Sequence, residues 1–97
     1  MQEYYMICKF TSKGAENIKA SSDRIAKVKK MFKDSGANII SFHIVLGRFD
    51  TIVHVEAPND ETIAKLSLQI GALGNVHIET LRAFSEEEFL AMVKQIA

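Results

Sequence analysis

The stretch Ala37–Pro58, ANIISFHIVLGRFDTIVHVEAP, decides the fold. Two β-branched, apolar runs flank a short segment of turn residues, Gly47-Arg48-Phe49-Asp50. So short a connection forces two strands, predicted over 37–46 and 51–57, to lie side by side and antiparallel. Pro58 ends the second strand because it has no N–H to give the ladder. Alternation sorts the first strand into two faces: Ile40, Phe42, Ile44 and Leu46 against Ile39, Ser41, His43 and Val45. With the turn centred on Arg48 and Phe49, Phe42 is expected opposite Val55 and Ile44 opposite Val53 on the helix side. On the other side His43 is expected opposite His54, Ser41 opposite Glu56 and Val45 opposite Ile52. A slip of one residue would turn one strand over relative to the other.

On the N-terminal side, EYYMICKFT over Glu3–Thr11 alternates Tyr4, Met6, Cys8 and Phe10 with Tyr5, Ile7, Lys9 and Thr11, which is strand periodicity. Polar residues 12–21, with Gly14, read as a loop or frayed turn. Ser22 or Asp23 is expected to cap a helix running to about Asp34, with Ile25, Val28 and Phe32 on one stripe and Gly36 as terminator. On the C-terminal side, Asn59 or Asp60 caps a second helix whose buried stripe is Ile63, Leu66, Ser67 and Ile70. Residues 75–84 form a fourth strand. Ser85 caps a last helix, its first turn the carboxylates Glu86, Glu87 and Glu88 and its apolar stripe Phe89, Met92 or Val93, and Ile96.

The order β-α-β-β-α-β with an added terminal helix is the ferredoxin-like pattern of an α+β sandwich. The 97 residues hold no linker long enough to divide them, so one domain over 1–97 is expected. Both crossover helices return over the same face of the sheet, which leaves the other face without cover. Ile39, Val45, Ile52 and Ile7 would stand there in water beside His43 and His54. An apolar area of that kind on a small domain marks an interface, so a homodimer or higher homo-oligomer is expected. The competing arrangement folds the terminal helix back over the face.

Twelve Lys+Arg cancel twelve Asp+Glu to a formal net charge of +0, which argues against nucleic acid as a partner. No apolar run approaches the roughly 20 residues of a membrane span, and the start lacks the features of a signal peptide. The single cysteine, Cys8, excludes an internal disulfide and suits a reducing cytoplasm.

Three histidines, His43, His54 and His77, fall in strands and are natural acid–base groups. No compact ligand motif links them, so no metal and no cofactor are expected. Cys8 reads as a buried structural thiol, since activation needs a nearby cation or helix start. Gly71-Ala72-Leu73-Gly74-Asn75 follows a helix and precedes a strand, the reverse of a phosphate loop. If two open faces enclose a cavity, its lining is expected to be Tyr5, Ile7, His43, His54 and His77.

The runs Leu46-Gly47-Arg48-Phe49-Asp50, Val55-Glu56-Ala57-Pro58-Asn59-Asp60, Leu73-Gly74-Asn75-Val76 and Glu79-Thr80-Leu81-Arg82-Ala83-Phe84 resemble the GYD domain family over nearly the whole chain. The resemblance implies a ferredoxin-like α+β fold of the kind that forms dimeric barrels. It implies no established activity, so no catalytic residue carries over. Where the family pattern at the turn has a tyrosine, this chain has Phe49, which points to a packing role for the ring. Gly47 is expected at positive φ and Asp50 on nearby backbone N–H groups.

The functional expectation is a homo-oligomeric small-molecule binding or regulatory protein. The alternative is a cofactor-independent isomerase or monooxygenase acting on a small organic substrate, with a histidine as acid or base.

Overall fold

A computed structural model describes residues 1–96. Four strands form one antiparallel sheet: β1 (Gln2–Phe10), β2 (Asn38–Ile44), β3 (Thr51–Ala57) and β4 (Val76–Ala83), in the spatial order β2-β3-β1-β4. With the crossover helices α2 (Ser21–Asp34) and α3 (Asp60–Ala72), this is the ferredoxin-like α+β fold. A terminal helix, α4 (Glu86–Lys94), follows β4. No helix among the described residues is long and apolar enough to cross a membrane.

The core forms where sheet alternation meets helix periodicity. Tyr4, Met6 and Cys8 of β1 and Val53, Val55 and Ala57 of β3 are buried on the helix side. α3 seats three residues on them: Ile63, Leu66 and Ile70, spaced as one helical stripe. α2 buries only Phe32; its Ile25 and Val28 are half-buried. Burying a side chain the size of Leu66 or Phe32 contributes about 1.5–3 kcal/mol, so α3 is held by several such terms and the N-terminal half of α2 by few.

The helix starts follow the caps. Asn59 accepts the backbone N–H of Thr62 at 2.9 Å, and Ser85 forms a full capping box with Glu88. At α2 the expectation fails: no side chain caps it, and the helix begins at Ser21. Residues 12–21 are more ordered than the expected loop or frayed turn. Thr11 caps a short helix α1 (Ser12–Glu16), and a 3-10 turn, Ile18–Ala20, runs directly into α2. α1 is fastened to the turn before β4: Thr11 Oγ1 donates to Gly74 O at 2.6 Å, Thr11 N to Asn75 O at 3.0 Å, and Lys13 Nζ to Leu73 O at 2.9 Å. These tertiary bonds supply what the polar composition of 12–21 concealed.

The β2–β3 register also departs from expectation. Ser41 pairs with His54, Phe42 with Val53, His43 with Ile52 and Ile44 with Thr51. Each pairing is two residues from the expected one, so the faces hold but His43 is not opposite His54. The cause lies in the connection: β2 stops at Ile44, and residues 45–50 close as a wider loop through Val45 N to Asp50 O at 2.9 Å. Asp50 is drawn toward β1, its N–H donating to Cys8 O and its carboxylate accepting from Phe10 N at 2.8 Å. A second irregularity, between Ile39 and Ser41, leaves Ile40 as an extra residue. It turns Ile39, expected on the open face, to the helix side opposite Val55, and Ile40 is left 48% exposed.

Candidate functional site

The two central strands, β1 and β3, supply the middle of the open face, and their alternation puts Glu3, Tyr5 and Ile7 beside Ile52, His54 and Glu56. Pairing across the sheet arranges these residues in rows. One row runs Ser41, His54, Tyr5, Leu81; the next runs His43, Ile52, Ile7, Glu79. In the first, the Tyr5 and His54 rings stack with centroids 4.5 Å apart and planes 6° from parallel. From the same face Glu3 reaches the ring: His54 Nε2 and Glu3 Oε1 lie 2.8 Å apart. Asn38 donates to Glu56 at 3.0 Å beside them. The face is half apolar, with Ile7 and Ile52 half-buried and Tyr5 and Leu81 exposed by 37% and 42%.

Of the expected lining residues, the fold joins Tyr5 to His54 directly and places Ile7 and His43 in the adjoining row. His77 stands apart. It pairs with Lys9, four residues along β1 from Tyr5, which at ~3.4 Å per residue is about 14 Å away. Glu3 is the member that the sequence reading missed. The signal was present, since Glu3 sits two residues before Tyr5 in a strand of period two, but the register that brings it to His54 is a tertiary fact. No group of three His, Cys, Asp or Glu residues that could hold a metal ion occurs among the described residues.

The turn segment has a structural layout. Gly47 takes φ +134°, a conformation that side chains rarely adopt. Phe49 is half-buried, with the Arg48 guanidinium 5.9 Å from its ring centre. Asp50 ties the loop to the end of β1, as described above. On the helix side, Tyr4 is 2% exposed and donates to Asp60 Oδ1 at 2.5 Å; burial, with this hydrogen bond, pushes the phenol up to about 12. The Arg82 guanidinium, 4.3 Å from the Phe84 ring centre and 5.6 Å from that of Tyr4, lies on the same side. The Cys8 thiol is also pushed up by burial, which keeps it protonated.

A four-stranded ferredoxin-like sheet with one face left open defines a class of small α+β proteins, and the chain belongs within it to the GYD domain family, which it matches over residues 4–93. Over 95 residues it is 28% identical to the "Glutamine synthetase and cystathionine beta-lyase binding protein" of Thermus thermophilus, covering 97% of this chain and 100% of that protein. The crystal structure of TTHA0845 from Thermus thermophilus superposes with a TM-score of 0.56 at 18% identity, over 88% of this chain and 95% of that one. That likeness is one of fold.

Proposed function

We propose that the chain is a homo-oligomeric binding protein with a regulatory role, acting as one domain over 1–97 in the cytoplasm and assembled by burying its open sheet face against a second copy. The observation that carries this reading is the half-apolar patch of Tyr5, Ile7, Ile52 and Leu81 around the Tyr5–His54 stack. Stable interfaces bury about 800 Å² per partner and are built around aromatic and aliphatic centres of this kind. A small ligand held between two such faces would meet Tyr5, Ile7, His43 and His54 first, with His77 at the far corner. The relative named for binding glutamine synthetase and cystathionine beta-lyase supports a binding role, and makes other enzymes the class of protein partner to test.

The alternative, a cofactor-independent isomerase or monooxygenase with a histidine as acid or base, draws less support. The cavity against α2 and the one against α3 have no histidine in their lining, and His54 Nε2 is taken up by Glu3.

Sedimentation of the purified chain tests the reading. The expected mass is at least twice the 10.8 kDa of one chain, falling to one chain in Ile7→Glu and Ile52→Glu. A wild-type chain that stays single at high concentration overturns it.

A further inference from the structure

All three histidines of the chain stand on the open sheet face: His43 on β2, His54 on β3 and His77 on β4. The register also sets out the charged groups around them. β1 contributes Glu3 and Lys9 to this face, β3 contributes Glu56, and β4 contributes Glu79. Asp50, at the end of the sheet, is held on Phe10 N. Beyond the Glu3 end, Glu88 of α4 feels the chain's amino group and Arg82, which donates to Glu3 O at 3.3 Å from the helix side. With neutral imidazoles, the three carboxylates of the strands outnumber the single ammonium by two charges. Imidazole is the one side chain on the face whose ordinary change of charge falls between about pH 5 and 8.

Among the described residues, His54 is the histidine joined to a carboxylate. Its Nε2 lies 2.8 Å from Glu3 Oε1, its ring is stacked on Tyr5, and the side chains of His54 and Glu3 are only 20% and 32% exposed. A second copy seated on the face removes the remaining water from this pair. With a neutral imidazole, the pair enters the interface as an uncompensated carboxylate, and the second copy brings another. With an imidazolium, it enters with no net charge and its hydrogen bond becomes charge-assisted. Burial by itself disfavours an imidazolium, but it disfavours a bare carboxylate too, and only the protonated pair neutralises both. The negative excess of the face adds to the same preference.

We propose, on the basis of the sheet-face assembly above, that this contact is pH-gated: assembly takes up one proton per chain on the Glu3–His54 pair, so two copies hold together in mildly acidic solution and loosen in alkaline solution. A proton held more tightly in the assembled state stabilises the assembly at low pH. That stabilisation is lost as pH rises through the range in which the assembled pair gives the proton up. Two protons for each pair of chains let the dissociation constant change by up to about a hundredfold per pH unit within that range.

Sedimentation of the full chain over a concentration series at about pH 6, 7 and 8 tests this, with far-ultraviolet circular dichroism checking the fold at each. The dissociation constant is expected to rise by about tenfold or more from the lowest pH to the highest. Dilution calorimetry in phosphate and in Tris, whose ionisation enthalpies differ, is expected to give about one proton taken up per chain on assembly. Glu3→Gln keeps the shape and removes the charge, so it is expected to assemble more tightly than wild type at the alkaline end, with a flat pH profile. His54→Gln is expected to be flat as well, at the weak alkaline level of the wild type. Equal wild-type dissociation constants across the range, tightening with rising pH, a wild-type slope retained in either variant, or a Glu3→Gln chain weaker than wild type at the alkaline end overturns the gate and leaves the sheet-face assembly standing. A wild-type chain that stays single at all three pH values removes both.

Discussion

Tyr4 concentrates two opposed demands in one side chain. Its ring is part of the core, yet its hydroxyl needs a partner, and Asp60 at the start of α3 supplies one. The phenol therefore keeps its proton in the folded chain until about pH 12, against about 10 unfolded. Between these values the folded state holds more protons than the unfolded one, so stability falls as pH rises through the window. This contribution is present below about pH 10 and is lost as pH rises through about 12. Tyr4→Phe is expected to cost about 1–3 kcal/mol at pH 7 by removing a bond to a charged acceptor, and to flatten the alkaline decline in denaturant titrations. A variant with the wild-type alkaline slope would assign that slope elsewhere. Gly14 is constrained by space. A Cβ there would meet Asn75 O at 2.0 Å, a backbone atom that cannot step aside. Gly14→Ala is expected to lift α1 from the Gly74–Asn75 turn and cost about 1–3 kcal/mol, read as a lower melting temperature with faster exchange at the Thr11 amide.

Elements were legible in the sequence in proportion to how local their causes are. Ser85 caps α4 as read, and Asn59, one of the two residues read as a cap for α3, caps it, because a cap is decided within four residues. β3 was read to the residue, since Pro58 stops it. The β2–β3 register and the place of Ile39 were not legible. They depend on Asp50 reaching over to β1 and on the extra residue Ile40, neither of which leaves a mark in periodicity. The same holds for the candidate site: Tyr5, Ile7 and His54 follow from alternation, while the distance of His77 from Tyr5 and the entry of Glu3 follow from register. α4 carries its own prediction. Its capping box places the Ser85 backbone N–H on the Glu88 carboxylate, which holds that carboxyl below its usual range. A lowered folded pKa gives stability above the ordinary carboxylate range and loses it as pH falls through the folded value. Helicity of α4 is thus expected to fall on acidification below about pH 4. Ser85→Ala is expected to remove about 1 kcal/mol of helix stability, seen as faster amide exchange over 86–94. Unchanged exchange there would show that contacts other than the cap hold the helix.

At the scale of the molecule, α4 is the element that the fold of one chain does not account for. The chain extends 52 Å in its longest direction, and its radius of gyration is 14.8 Å, whereas a compact chain of this length has about 12.5 Å. No residue of α4 is buried. Phe89, Leu90, Met92 and Val93 are exposed by 57%, 51%, 41% and 45%, so the helix does not fold back as a cover. Isolated helices shorter than about 12–15 residues are marginal in water, and a cap contributes only about 1 kcal/mol. A nine-residue helix with a free apolar stripe is therefore stable only where that stripe is buried. In the proposed assembly through the sheet face, α4 is expected to add its apolar stripe to the contact between copies. Phe89→Ser with Val93→Ser is accordingly expected to weaken assembly at least tenfold by sedimentation, while the folded core keeps its melting temperature in dilute solution. If the double variant assembles like the wild type, α4 stands outside the contact between copies. Its stripe then belongs to a different protein, for which pull-down with purified candidate enzymes, wild type against variant, is the direct assay.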